Sequence, residues 1–270
     1  MENRLDRAFQ QDRSRRVIPF IEAGDPDFNT SLDLVKLLDG EGVSAIELGV
    51  PYSDPLADGP VIQAASERAL AEGMTLPKVL QLADAARAEG VRAPLVLFSY
   101  YNPILRFGPA RLVQQAEAAG IDGMIVPDLP WEESEELSRF AGERGLHLVP
   151  LVAPTSRERI RQIASRAKGF VYCVSSLGTT GVRSAFADGV EAFLDTVKQH
   201  SPVPIAVGFG ISRREHVDRF MAHADAAVVG SALVRQVEER REELQDPSKR
   251  RAALDGLRLF IRDLIGEKQD

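Results

Sequence analysis

Eight short runs of β-branched and apolar residues, each followed by a longer stretch with helical spacing, constrain this chain more than any other feature. The runs are VIPFIE (17–22), VSAIELGV (43–50), PLVLFSY (94–100), GMIVPD (123–128), LHLVPLV (146–152), GFVYCV (169–174), VPIAVG (203–208) and AAVVG (226–230). Between them lie amphipathic segments such as SLDLVKLLDGEG, ARLVQQAEAAG, EESEELSRFAGERG and RERIRQIASRA, several of which end in glycine as a helix C-terminus prefers. Strand-like runs alternating with helix-like stretches predict parallel βα units. Eight such units in 270 residues, with no Ser/Pro-rich linker, predict one closed (β/α)8 barrel over residues 1–270. A doubly wound sheet fits less well, because the turn after the first run, GDPDFN, lacks the glycine-rich GxGxxG pattern. The charged segment 2–12 predicts an extra N-terminal helix over the barrel bottom. PVIQAASERALAEG (60–73) predicts an inserted helix in a βα loop, and SKRRAALDGLRLFIRDLIG the closing helix.

Charge narrows the partners. A formal net charge of -7 opposes broad attraction to nucleic acid or to an anionic membrane surface. No apolar run approaches the roughly 20 residues needed to cross a bilayer, so a cytoplasmic protein is expected. Cys173 is the single cysteine, which leaves no intrachain disulfide and no cysteine cluster for zinc; a buried core thiol is expected.

Active sites of such barrels form at the C-terminal ends of the strands. The stretch IELGVPYSDPLADG (46–59) carries Glu47, Asp54 and Asp58 through one of these ends. Side chains alternate along a strand, so Ala45, Glu47 and Gly49 point one way and Ile46, Leu48 and Val50 the other. The bulky set belongs against the helices, which aims Glu47 into the barrel mouth. A lone carboxyl there tends toward a raised pKa, suited to a general acid, and the strand runs offer almost no Lys or Arg to neutralise it. Asp54 and Asp58 lie in a turn-rich loop, where aspartate also serves as a turn or helix cap. Glu22 and Asp128 are further acids at strand ends; Asp128 is also placed to cap a helix beginning near Glu132.

Glycine-rich segments follow the last strands: SSLGTTG (175–181), VGFGIS (207–212) and VVGSALV (228–234). The loops after the seventh and eighth strands form the recurrent phosphate site of this fold, so Gly208, Gly210, Gly230 and Ser231 are expected to present N–H groups to a phosphate. SSLGTTGVRSAFADG has the length and small polar composition of a mobile lid. Phe20, Phe98, Tyr100, Tyr172 and Phe209 fall near strand ends and could clamp a flat apolar ligand, although core filling also explains Phe98. No lysine stands at a strand C-terminus, which opposes Schiff-base chemistry, and the four histidines form no metal set. Carboxylate acid–base chemistry on a phosphorylated substrate with an aromatic part is what remains.

The segment IELGVPYSDPLADG matches E-x-G-x-x-[FY]-S-D-P-x-x-D-G without a gap, and in this it resembles the tryptophan synthase α-subunit family. PFIEAGDP, YYNPI, VPDLP, LVAPTS, GTTGVR, GFGIS and VVGSALV extend the resemblance, in order, over essentially the whole chain. It implies a TIM barrel and a lyase of tryptophan biosynthesis that cleaves indole-3-glycerol phosphate to indole and glyceraldehyde 3-phosphate. By motif position it implies Glu47 as general acid and base, and Asp58 as the carboxylate that binds the indole N–H. It also implies Phe20, Phe98, Tyr100, Ile125, Tyr172 and Phe209 around the indole, with Gly181, Gly208, Gly210, Gly230 and Ser231 around the phosphate. Thr180 corresponds to a lid threonine that meets the second aspartate. Pro51, Asp54 and the stretch from Asn102 to Gly108 resemble the face that meets a β subunit in an αββα assembly. Pyridoxal phosphate is expected on that β subunit, and no cofactor on this chain. Thr179 departs from the valine of many family members. Two other readings fit the bare residues: an isomerase of phosphorylated ribose intermediates, and a binding subunit that activates a partner.

Overall fold

The computed structural model describes residues 3–10, 17–174, 189–208 and 210–266. Its strands are β1 (Val17–Glu22), β2 (Ile46–Gly49), β3 (Leu95–Phe98), β4 (Gly123–Ile125), β5 (His147–Leu148), β6 (Leu151–Val152), β7 (Val171–Val174), β8 (Ile205–Gly208) and β9 (Ala226–Val229). Neighbours pair in parallel in the order β5-β4-β3-β2-β1-β9-β8-β7-β6. The two ends of this order, β5 and β6, are consecutive pieces of one segment joined through Val149 and Pro150, so the sheet closes on itself as a barrel.

The single fifth run read from the sequence is thus two short strands. Pro150 has no N–H to give to a ladder. Its carbonyl accepts from Tyr172 N–H at 2.9 Å, while Val149 N–H donates to Met124 O at 2.9 Å. The segment therefore switches neighbours at the proline: β5 pairs with β4, and β6 pairs with β7.

Two apolar layers follow from strand alternation. Ile18, Ala45, Val96, Ile125, Val149, Phe170, Ala206, Ala226 and Val228 pack together inside the barrel. Ile46, Leu48 and Val50 join the larger layer between sheet and helices. Glu47 therefore shares the inward side with Ala45, as the alternation predicts. The expected N-terminal helix spans Arg4–Gln10, and its Leu5, fully buried, plugs the inner layer; Phe9 meets Phe170 at 5.7 Å between ring centroids. The inserted helix is Pro60–Ala71, started by Gly59 with proline at its first turn, and the closing helix is Arg250–Ile265.

Candidate active site

The C-terminal ends of the strands surround a cavity of about 580 Å³, within the range of small-molecule sites. Glu47 and Asp58 both line it, as do Phe20, Phe98, Tyr172, Gly208, Gly210, Gly230 and Ser231.

Glu47 lies opposite Phe20 on β1 and Val96 on β3. It is 1% exposed, and neither carboxyl oxygen has a hydrogen-bond partner among the described residues. Burial alone pushes this carboxyl well above the usual range. A buried charged carboxylate without a partner is far more costly than a neutral acid, so this environment favours the protonated form.

Asp58 has a different environment. It is 5% exposed, and the Tyr100 hydroxyl donates to its Oδ2 at 2.8 Å. Burial raises its pKa to about 6, against the lowering effect of that hydrogen bond. The Tyr100 oxygen in turn accepts from Ala57 N–H at 2.9 Å, and Gln63 Nε2 donates to the Asp58 carbonyl at 2.8 Å. Asp58 also stands just ahead of helix Pro60–Ala71, whose positive end favours its charge. The two carboxyls thus differ in kind: burial without a partner favours the neutral form of Glu47, whereas Asp58 titrates at about 6 with the Tyr100 hydroxyl donating to it.

The aromatic residues divide. Phe20 and Phe98 meet edge-on at 5.5 Å and, with Tyr172, wall the cavity. Tyr100 is 4% exposed and stacked on Tyr52 at 5.4 Å; it stands behind Asp58 and is not among the lining residues. Ile125 is fully buried in the barrel interior and does not line the cavity either. Both were expected on the indole wall, and for Tyr100 the reason for the difference is its hydroxyl, which is engaged with Asp58.

Gly230 and Ser231, at the N-terminus of helix Ser231–Glu239, line the cavity together with Gly208 and Gly210. Gly208 has no room for a side chain, because a Cβ would lie 2.6 Å from the Tyr172 hydroxyl, and Gly210 has φ +73°. Backbone N–H groups and a helix end make a ready anion site. The one basic lining residue among those described, Arg159, is paired with Glu132 at 2.6 Å on the outer rim. Gly181, Thr180, Phe209 and Thr179 lie outside the described residues.

Asp128 does not cap the helix near Glu132. Its Oδ1 accepts instead from Tyr101 N–H at 2.9 Å, at the start of helix Tyr101–Phe107. On the rim, Asp54 and Asn102 are exposed and Asn102 donates to the Tyr52 hydroxyl at 3.0 Å, whereas Pro51 is buried. Leu105, within the expected stretch from Asn102 to Gly108, is 52% exposed, and Leu56, which sequence reading did not single out, is 86% exposed. Also missed were Leu129, Trp131, Val152 and Ile163, which line the cavity together with Pro150.

The family model described as "Tryptophan synthase alpha chain" matches residues 7–258. The chain is 51% identical over 248 residues to the tryptophan synthase alpha chain of Halalkalibacterium halodurans, covering 92% of this chain and 94% of that relative. Among solved structures, tryptophan synthase subunit alpha from Legionella pneumophila superposes with TM-score 0.84 at 35% identity, covering 97% of this chain and 99% of that one. A chain from a structure of the tryptophan synthase α2β2 complex of Pyrococcus furiosus superposes with TM-score 0.80 at 37% identity, covering 93% and 98%. With two carboxyls and several strand-end glycines lining one cavity at the barrel mouth, this protein belongs to the tryptophan synthase alpha chain family.

Proposed function

We propose that Glu47 is the proton donor and acceptor, and Asp58 the charge-stabilising carboxylate, in the cleavage of indole-3-glycerol phosphate to indole and glyceraldehyde 3-phosphate. The observation that carries this reading is the difference between the two acids: Glu47 is buried without a hydrogen-bond partner among the described residues, which raises its pKa well above the usual range, while Asp58 is hydrogen-bonded and titrates at about 6.

The phosphate sits against the N–H groups of Gly208, Gly210, Gly230 and Ser231, which leaves the indole ring between Phe20, Phe98 and Tyr172. Asp58 accepts the indole N–H. Glu47 gives its proton to indole C3, and the ring nitrogen becomes positively charged as it does so. A fixed carboxylate beside that nitrogen interacts more strongly with the charged species than with neutral substrate, so it lowers the barrier rather than only tightening binding. The Glu47 carboxylate just formed then takes the proton of the side-chain hydroxyl, and the bond between indole C3 and the side chain breaks. Its electron pair returns to the ring, indole and the aldehyde leave, and Glu47 is again protonated. One group acting as acid and then base needs the easily reversed charge that burial gives it.

Like its family, the chain works with a β subunit in an α2β2 assembly; the cofactor, pyridoxal phosphate, resides on β and none on this chain. Asp54 and Asn102 at the exposed rim are assigned to that contact, with Leu56 and Leu105 beside them. Residues 1–270 are taken as one barrel domain, supported by pairing from β1 to β5 on one side and from β1 through β9 to β6 on the other, with β5 and β6 joined through Val149 and Pro150. No helix among the described residues is long and apolar enough to cross a membrane. We place the enzyme in the cytoplasm, a reading supported by its lone, fully buried thiol.

The test is indole release from indole-3-glycerol phosphate by the purified chain, alone and with a β subunit. Release in both, faster with β, is expected. Absence of indole in both would refute the assignment.

A further inference from the structure

Glu22 ends β1 and is 4% exposed, yet neither the cleavage steps nor the phosphate cradle uses it. The Ser66 hydroxyl, on helix Pro60–Ala71 and itself 3% exposed, donates to its Oε1 at 3.1 Å. Its Oε2 lies over Gly49, where a Cβ would come within 2.8 Å of that oxygen and 2.5 Å of the Phe20 ring. A single backbone position without a side chain thus makes room for both the carboxyl and a wall of the cavity. Through these contacts Glu22 joins β1, β2 and the helix that begins directly after Asp58.

The charges around it are mostly negative. Asp58 and Asp25 both act on Glu22 and oppose its ionisation. Arg68, on the same helix as Ser66, is close enough to be felt, but its guanidinium is committed: two hydrogen bonds of 2.8 Å go to Asp25 and one of 2.9 Å to Glu238 on helix Ser231–Glu239. The remaining surroundings, a void of about 10 Å³, are lined by Ile21, Leu34, Leu233, Val234 and Val237 besides Asp25. A second anion here would face Asp58 with no cation of its own.

We infer that Glu22 is a positioning residue that works as an uncharged carboxylic acid, holding Phe20 and the helix behind Asp58 while leaving Asp58 the charged carboxylate of that wall. Burial first, and then the charge of Asp58, push the Glu22 carboxyl well above the usual range, outweighing the Ser66 hydrogen bond and the Arg68 charge, which act the other way. Ionisation of Glu22 at high pH sets like charges against each other beneath the indole and loosens the wall that they share. The inference rests on the role proposed for Asp58.

The experiment compares kcat/KM against pH for the parent and for Glu22→Gln, which keeps the shape and is neutral at every pH. Expected is a value within about threefold of the parent near pH 7, an unmoved acid limb, and a high-pH decline displaced upward by about half a unit or more. A superimposable profile, or a loss beyond about tenfold near pH 7 with the fold intact, overturns the inference. An independent reading comes from the infrared carbonyl band of protonated carboxyls at pH 7 in Glu47→Gln, which removes the other protonated acid. A band that persists there and disappears in Glu47→Gln/Glu22→Gln supports the inference; no band in Glu47→Gln overturns it. The infrared result does not depend on catalysis. A fully active Asp58→Asn would therefore refute the role of Asp58 and remain distinguishable from a failure of Glu22.

Discussion

Replacing Tyr100 with phenylalanine deletes the hydroxyl that donates to Asp58 at 2.8 Å and keeps the ring that stacks on Tyr52. A hydrogen bond to a charged group contributes about 1.5–3 kcal/mol, and about 1.4 kcal/mol corresponds to one pKa unit. Asp58, at about 6 in the parent, is therefore expected to titrate at about 7–8 in Tyr100→Phe. At pH 7 its ionised fraction falls from about nine-tenths to between about one-half and one-tenth. If catalysis needs the carboxylate, kcat/KM for indole-3-glycerol phosphate at pH 7 drops about two- to tenfold, and the gap to the parent narrows as pH rises. Indole release measured across pH 5.5–9 reads this directly as a displaced acid limb. The same change strips Ala57 N–H of its acceptor and costs about 1 kcal/mol of stability, visible as a lower Tm. A loss of activity that is uniform across pH, with the acid limb unmoved, would refute the reasoning and mean that Tyr100 acts through packing alone.

Asp58→Asn is expected to lose most of kcat yet to stabilise the fold. The folded-state pKa lies above the usual 3.8, so the native state binds the extra proton and its stability falls as pH rises from about 4 through 6; removing the charge returns up to about 3 kcal/mol above that window, measurable by urea unfolding at pH 5 and 8. Gly208→Ala drives a methyl group to 2.6 Å from the Tyr172 hydroxyl at the phosphate cradle, and should raise KM about tenfold or more in steady-state assays. Leu105→Glu, on the exposed rim, should weaken β-subunit binding by about tenfold in a titration while indole release by the isolated chain stays unchanged.

Much of this site was legible in the sequence because its physics is local. Ile46, Leu48 and Val50 declare the helix-facing side of β2, and that alternation alone directs Glu47 inward. The glycines at the ends of β8 and β9 were likewise placed at the barrel mouth by their position on the fold, and Gly208, Gly210 and Gly230 line the cavity there. What depends on distant pairings was not legible. The hydrogen bond between Tyr100 and Asp58 joins residues 42 positions apart, and nothing near either one encodes it. Glu22 looked like one strand-end acid among several, because only the folded chain shows that Arg68 goes to Asp25 instead. The split at Pro150 was visible as a proline within an apolar run, but the change of neighbour that closes the sheet follows from the barrel as a whole.

The central claim is that Glu47 supplies and recovers the proton. The most direct measurement is single-turnover indole formation by Glu47→Gln, together with its Kd for a non-cleavable indolyl alkyl phosphate. Removing a proton-transferring group typically costs about 10²–10⁴-fold, so the cleavage rate should fall by about 1,000-fold while Kd stays within about threefold. Cleavage within about tenfold of the parent, with binding intact, would contradict the account.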